Sequence, residues 1–527
     1  MIPELTKFEQ KTTLIMATGV QFLDFGLKLD LRKELPGDFV VQEGNRSLVR
    51  LKYDDRLAGC VHPARPGLLV QPKLTVPVDQ SFDLFDQIWL PVPFFRMAPP
   101  RRFADGPTNW VRARIVRLNP GDSPENSTHR LTLALDTKIL QEQAGAAYLA
   151  PTANDVQAGA AFNLAFRCDE MAWFPETFWV AGWLLEVFEE KAREVLRLSE
   201  QDIEEEVSEL MHHAHYLNWL ALIGEYARIP EIKILPNTPQ DIERPIEVDM
   251  VLDVGNSRTC GILIENHPQD ESGGMKKRYE LETRDISMPH LVYSEPFESR
   301  LEFAEATFGK AHFSVQSGRN NAFLWPTIAR VGKEATRLAS RRRGTEGSTG
   351  LSSPKRYLWD QDAYEPGWRF NSAFSRNEIE PHATAMPFSN LINELGEALY
   401  TLPLDEQMPV FFPRYSRSSL MMFMLSEVLV QALSQINSPS QRLRQSHANK
   451  PRHLRNIILT VPPSMPKPER EIFENRMREA VGLVWKSLGW HPENDPIVNA
   501  EDKNAWPPFP RLHVQWDEAT CGQVVYL

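Results

Sequence analysis

Two short apolar runs separated by a polar turn constrain the fold of this chain more than any other feature of its sequence. The runs are Met250–Val254 and Cys260–Ile264, and Gly255–Thr259 lies between them. Apolar runs of this length are typical of buried strands, and so short a turn joins neighbouring antiparallel strands. The stretch therefore predicts a β-hairpin, with Asp253 at the end of its first strand.

The region before this hairpin is predicted to begin with strands and to continue with helices. Trp110–Leu118 and His129–Thr137 alternate apolar and polar side chains, as half-buried strands do. The spacing of the apolar residues becomes helical near residue 181. We therefore expect a β-rich domain at residues 1–180 and a helical segment at residues 181–230.

A linker and an α/β region are predicted to follow. Four prolines between Arg228 and Asp249 predict a linker at residues 231–245. Residues 246–527 then alternate between strand and helix patterns, with the hairpin at their start. The fold class predicted for the whole chain is α+β, and its 527 residues are enough for roughly three domains.

Composition limits the classes of partner and the cellular location. The net charge is −12, which disfavours nucleic acid as a partner because nucleic-acid affinity depends on neutralising phosphates. No uncharged apolar run approaches the roughly 18–20 residues of a membrane span, and the N-terminus lacks the pattern of a secretory signal. The four cysteines are widely separated, as in proteins with reduced thiols. These features predict a cytoplasmic protein with neither a membrane span nor a nucleic-acid partner.

The turn of the hairpin has the composition of a phosphate-binding loop. Gly255 would let a ligand approach the backbone closely, and consecutive backbone N–H groups in such a turn can bind an anion. A carboxylate beside phosphates requires a hard cation, and Mg²⁺ commonly binds through water, so Asp253 suggests magnesium. The side chains that would add hydrogen bonds or charge are Asn256, Ser257, Arg258 and Thr259. The alternative is an ordinary β-hairpin, which the turn taken alone favours.

Three later stretches favour the phosphate-binding alternative. Together with the hairpin they resemble, in the same order along the chain, segments of the sugar kinase, Hsp70 and actin ATPase superfamily. The three stretches are Phe323–Trp359, Arg455–Leu483 and Val514–Leu527. The resemblance implies that residues 246–527 form the first, RNase H-like α/β lobe of such an ATPase, with ATP and Mg²⁺ as ligands.

The resemblance also assigns roles to individual residues. It implies that Asp253 holds Mg²⁺ through water and that Lys355 reaches the γ-phosphate and the attacking water. Glu518 would lie near the metal. The residues that would contact the β- and γ-phosphates are Gly255, Asn256, Ser257, Arg258 and Thr259. The sequence departs from the Hsp70 pattern at Asn256–Ser257, where two threonines are common, and at Ala519, where a proline is usual.

Over its whole length the chain resembles the bacterial virulence factor SrfB family. The segments DVGNSRTCG and SPKRYLWD and the Trp- and Pro-rich N-terminal region carry this resemblance. It implies a bacterial cytoplasmic protein, encoded in one operon with companion proteins as its partners. Later secretion by a route that needs no signal remains compatible with the sequence.

The superfamily also has a second phosphate hairpin, an Asp followed by a glycine-rich turn, which does not occur between Glu518 and Leu527. We therefore expect the second lobe to come from a continuation of the chain and the chain alone to be catalytically inactive. The alternative is a non-catalytic interaction or scaffold protein that retains the fold without ATP turnover.

Two further expectations concern isolated side chains. His212 and His215 have a spacing that permits metal binding, but without a carboxylate or cysteine partner an ordinary helix surface is favoured. Cys260 is expected to be a buried strand residue. We therefore assign no chemistry to either position.

Overall fold

A computed structural model describes residues 2–41, 47–98, 102–103, 106–141, 147–242, 244–267, 277–342, 348–371, 381–497 and 502–517. The structure is 29% helical and 28% strand by residue, which confirms the predicted mixed α+β composition.

The first half of the chain contains sheets and the helices that cover them. Its strands are β1 Lys11–Ile15, β2 Val20–Leu27, β3 Gly37–Val41, β4 Leu48–Arg50, β5 Lys52–Asp54, β6 Gly59–His62, β7 Arg65–Leu69, β8 Leu74–Val76, β9 Trp89–Pro91, β10 Phe94–Ala98, β11 Arg102–Phe103, β12 Val111–Arg117, β13 His129–Asp136, β14 Ala161–Leu164 and β15 Glu231–Leu235. Its helices are α1 Val78–Phe85, α2 Ala153–Gln157, α3 Cys168–Met171, α4 Phe178–Lys191, α5 Glu200–Ser208 and α6 Met211–Tyr226, with a π-helical turn at Ala192–Leu196.

Two sheets organise this half. One has the strand order β1-β15-β14-β10-β11, in which β1 and β15 are parallel, and the other is the antiparallel sheet β2-β13-β12-β9. Helices α1, α4 and α6 share a hydrophobic core with these sheets, so residues 181–230 pack together with the β-rich region. Residues 231–245 were predicted to be a linker, but the first five form strand β15, which lies between β1 and β14 in the sheet.

The second half surrounds one mixed sheet. Its strands are β16 Ile246–Val254, β17 Arg258–Asn266, β18 Lys277–Glu280, β19 Thr283–Arg284, β20 Val292–Tyr293, β21 Phe297–Glu298, β22 Arg300–Phe303, β23 Ala329–Val331, β24 Gly350–Ser352, β25 Arg452–Val461 and β26 Arg511–Asp517. Its helices are α7 Ala311–Gln316, α8 Gly332–Ser340, α9 Ser419–Asn437, α10 Pro439–Arg444 and α11 Lys467–Ser487. Short 3₁₀ turns lie at Pro354–Tyr357, Phe388–Leu391, Leu399–Thr401 and Leu404–Glu406.

The main sheet has the strand order β18-β17-β16-β25-β26, and β21 adds to one end of β17. The strands β18, β17 and β16 are antiparallel neighbours, whereas β25 and β26 run parallel to β16. Helix α9 precedes β25, and helix α11 connects β25 to β26. The predicted hairpin is thus the centre of the sheet, since β16 pairs with β17 on one side and with β25 on the other.

Buried contacts join the two halves. Phe22 and Trp89 of the first half belong to the hydrophobic core of the second. Arg319 forms a buried ion pair with Asp136 at 2.9 Å, and Arg112 donates to the carbonyl of Phe308 at 2.5 Å. Separating the halves would leave Arg319 and Asp136 without their buried ion-pair partners, which is costly.

Helix α9 lies at the centre of the second core. By length and composition alone it is apolar enough to cross a membrane, but 94% of its most apolar window is buried inside the protein. Apart from the row Glu427, Gln431 and Gln435, whose side chains form hydrogen bonds, the helix is mostly apolar. A mostly apolar helix surrounded by protein has the properties of a core helix.

Two expectations for single residues are wrong. His212 and His215 are buried rather than on a helix surface, because α6 is apolar around most of its circumference and is covered by other elements. Cys260 is exposed rather than buried, because the side chains of β17 alternate and Cys260 is on the open face.

Candidate functional site

The candidate site begins at the last residues of the central strand β16. Asp253 is half-buried there, and the hydroxyl of Thr460, on the neighbouring strand β25, donates to its Oδ1 at 2.9 Å. This is the hydrogen-bond partner found for the Asp253 carboxylate among the described residues. The carboxylate is therefore oriented by a hydroxyl, and within the described part of the chain it forms no ion pair with a basic side chain.

The turn that follows is tight and faces solvent. The N–H of Gly255 donates to the carbonyl of Arg258 at 2.9 Å, and a Cβ at position 255 would lie 2.7 Å from that oxygen. A side chain at position 255 would therefore push the turn open. Asn256, Ser257 and Arg258 are all exposed at the tip.

Thr259 differs from the other residues of the turn. Its side chain is fully buried, and its hydroxyl is 2.9 Å from the hydroxyl of Ser299. In this arrangement Thr259 anchors the base of the loop, whereas Asn256, Ser257 and Arg258 are accessible to a ligand.

Ser299 connects the parts of the site and was not predicted from the sequence. Its hydroxyl donates to the carbonyl of Gly255 at 2.7 Å, and its N–H donates to the carbonyl of Ser257 at 2.9 Å. Its own carbonyl accepts from the N–H of Ser353 at 2.6 Å. A serine between two short strands has no local sequence signature, so only the folded chain reveals this role.

Lys355 is brought to the same place from a distant part of the sequence. It lies in the 3₁₀ turn that follows Ser353, whose φ of 56° is in the left-handed region that non-glycine residues rarely adopt. The Lys355 ammonium donates to the carbonyl of Val254 at 2.7 Å and lies 5.3 Å from the centre of the Phe473 ring. The lysine is therefore next to Asp253 and the turn, with its side chain buried.

Glu518 lies outside the described residues. Strand β26 ends at Asp517, whose backbone pairs with Val461 at the end of β25. Val461 directly follows Thr460, so β26 ends at the same edge of the sheet as Asp253.

The electrostatics of the site are set by carboxylates. Asp253 and Cys260 are cross-strand neighbours. Although Cys260 is exposed as a residue, partial desolvation of its thiol, together with the charges of Asp253 and Glu280, raises the pKa of that thiol, which therefore stays protonated at neutral pH. Among the described residues, no group of three His, Cys, Asp or Glu side chains could hold a metal ion. A magnesium ion bound by one carboxylate and by substrate phosphates would not need such a group.

Comparison with known families settles the family of the chain. A sequence model of the family described as virulence factor SrfB matches residues 1–527. The chain belongs to the virulence factor SrfB family. No curated protein gives a significant match. The resemblance to the SrfB family is thereby confirmed, whereas the resemblance of residues 246–527 to Hsp70/actin-like ATPases stays a prediction.

Proposed function

We propose that the second half of this SrfB-family chain is the first lobe of an Hsp70/actin-like fold and that it binds ATP with Mg²⁺. The strand arrangement of the main sheet supports the proposal. An antiparallel hairpin unit followed by two parallel strands, each reached through a helix, is the arrangement expected of an RNase H-like lobe. The candidate site lies at the turn of that hairpin.

The observation that carries the proposal is the contact of the Lys355 ammonium with the Val254 carbonyl, one residue after Asp253 at the end of the same strand. About 100 residues separate Lys355 from that strand end in sequence. An ordinary β-hairpin needs neither a carboxylate at its strand end nor a buried ammonium beside it. A phosphate loop uses both, the first for the metal and the second for phosphate charge.

The residues present fit magnesium and phosphate. The exposed tip Asn256–Arg258 offers backbone and side-chain donors to an anion. Asp253 offers an oxygen ligand of the kind that Mg²⁺ prefers, and Thr460 already orients it. Bound Mg²⁺ would supply neutralisation of phosphate charge. Lys355 would exchange its bond to the Val254 carbonyl for one to phosphate.

The proposal is tested by nucleotide binding to the full-length product of the natural gene. We expect saturable binding of ATP that weakens when Mg²⁺ is chelated. Asp253→Asn and Lys355→Met should each weaken binding at least tenfold, equivalent to about 1.4 kcal/mol. The matched control is Glu247→Gln, which removes an exposed carboxylate at the opposite end of the same strand and should leave binding unchanged.

Unchanged binding in both site variants would refute the proposed phosphate loop. If the full-length product does not bind ATP at all, the chain is better described as a non-catalytic interaction protein that retains the fold.

A further inference from the structure

A short segment of the second half exposes large apolar side chains to an unusual degree. Leu404, Met408 and Phe411 are 88%, 73% and 89% exposed, the highest values among the large hydrophobic side chains of the described residues. They lie within eight residues of each other. Clusters of this kind on a folded protein commonly mark interaction surfaces.

The segment is held in one conformation. Gln407 donates from its side chain to the carbonyl of Leu402 at 2.9 Å, and the N–H of Val410 donates to Ile392 at 2.9 Å. The prolines that fix backbone φ angles in and beside the segment are Pro403, Pro409 and Pro413. Because the loop is already ordered, a partner would pay little conformational entropy to bind it.

A cavity of about 770 Å³ opens beside this segment, and Leu404 is the one of the three exposed side chains that lines it. Its apolar lining includes Leu391, Leu399, Leu402, Leu404 and Pro409. The cavity is large enough to receive several apolar side chains of a partner segment.

The surroundings of the cavity are acidic. The carboxylates on the loop and on the opposite wall are Asp405, Glu406, Glu493 and Asp495. Lys486 also lines the cavity, and its buried ammonium donates to the carbonyls of Pro492 and Asp495 at 2.7 and 2.6 Å. This one positive charge offsets only part of the negative charge of the four carboxylates. Arg414, which lies beyond the loop, pairs with Glu365 at 3.9 Å.

We propose that the surface formed by residues 402–411 and this cavity binds an amphipathic segment of a partner protein with apolar anchors and flanking Lys or Arg side chains. The acidic rim attracts such a segment. It would repel an anionic membrane surface. It would also repel a second copy of the chain in a two-fold dimer, since that would place the same carboxylates opposite each other.

Three synthetic 18-residue peptides test this proposal on the whole chain by titration calorimetry. One is an amphipathic Leu/Lys helix, the second replaces each Leu by Ser at the same charge, and the third replaces each Lys by Glu. We expect one-to-one binding of the Leu/Lys peptide, with the other two at least tenfold weaker.

Variants of the exposed residues locate the binding. The triple change Leu404→Ser, Met408→Ser and Phe411→Ser should weaken Leu/Lys binding at least tenfold, and Asp405→Asn with Glu406→Gln at least threefold. The control triple carries equally simple changes at exposed apolar residues elsewhere, namely Leu35→Ser, Leu68→Ser and Val315→Ser, and should bind as the unchanged protein.

Four outcomes would overturn the proposal: equal binding of the Leu/Lys and Leu/Glu peptides, equal binding of the Leu/Lys and Ser/Lys peptides, equal loss in the control triple, or no peptide binding. Sedimentation of the chain tests whether a second copy occupies the surface, and flotation with phosphatidylglycerol vesicles tests whether a membrane does. Self-association or vesicle binding that is lost only in the first triple would assign the surface to a second copy or to a membrane instead.

Discussion

Helices α6 and α9, one in the core of each half, both bury titratable side chains but in different charge states. Helix α6 of the first half buries histidines, and burial lowers the pKa of His212 to about 3 and that of His215 to about 4. Helix α9 of the second half buries Glu427, which accepts from Arg330 at 3.1 Å and from Gln431 at 2.8 Å. The first helix therefore accommodates polar groups by keeping them uncharged, and the second by pairing a charge.

Of the changes predicted here, removal of the cation that pairs with Glu427 on α9 should have the largest effect on stability. Arg330→Met would leave Glu427 buried without its cation, and we expect a loss of about 3–5 kcal/mol in the free energy of unfolding. Urea unfolding followed by circular dichroism measures this loss.

The control for Arg330 is Lys333→Met, on the neighbouring helix α8. Lys333 pairs with Glu295 at 2.9 Å in solvent, where such pairs contribute about 0–1 kcal/mol. Losses of similar size in both variants would show that Glu427 does not depend on its buried partner.

The histidines of α6 should make the first half sensitive to acid. Their pKa is lower in the folded chain than in the unfolded chain, so the unfolded state binds protons first as the pH falls. Stability should be complete above pH 6.5 and should decrease toward pH 4, by roughly 1–3 kcal/mol for each buried histidine. Denaturant midpoints at pH 7 and pH 4.5, read from tryptophan fluorescence, measure the decrease.

His212 offers a direct check of this cause. Its Nδ1 has no hydrogen-bond partner among the described residues, so His212→Leu removes a titrating group without breaking a bond there. The variant should lose less stability than the unchanged chain between pH 7 and pH 4.5. An identical loss would mean that acid acts elsewhere, for example on His129 or His290, whose pKa values burial also lowers.

Asp253 differs from Glu427, because this carboxylate of the second half has no basic partner among the described residues. Thr460→Val removes the hydroxyl that orients it. We expect ATP affinity to fall about threefold to tenfold and stability by about 1 kcal/mol, the usual contribution of one hydrogen bond. Unchanged affinity alongside that loss of stability would limit Thr460 to a structural role.

Ser299 should give the smallest effect. Ser299→Ala removes the hydroxyl bonds to Gly255 and Thr259 but keeps both backbone bonds of residue 299. We expect ATP affinity to fall about twofold to fivefold with a stability change of about 1 kcal/mol. Ser352→Ala, next to the same site, is the control and should leave affinity unchanged.

Strands whose apolar spacing and turn residues are contained in one short stretch could be predicted from the sequence. The hairpin appears as β16 and β17, and the apolar run near residue 455 appears as β25, because their apolar spacing and turn residues suffice to define them. The position of Asp253 at a strand end follows from the same spacing.

Long-range contacts were not predictable in this way. The pairing of β1 with β15 depends on partners far apart in sequence, so residues 231–235 looked like part of a linker. The burial of His212 depends on which elements cover α6, and the role of Ser299 depends on two loops that meet only in the folded chain. A single amino-acid sequence does not show which distant segments come into contact in the folded chain.

The parallel pairing of β1 with β15 also has a consequence for synthesis. Lys11 pairs with Glu231, so β1 cannot pair with β15 until about 220 more residues have been translated. At about 5–20 residues per second this takes roughly 10–45 s, during which the edge of β1 is open to other nascent chains. An expressed fragment that stops before residue 231 would keep that edge open permanently, so the shortest useful fragment of the first half should extend past Leu235.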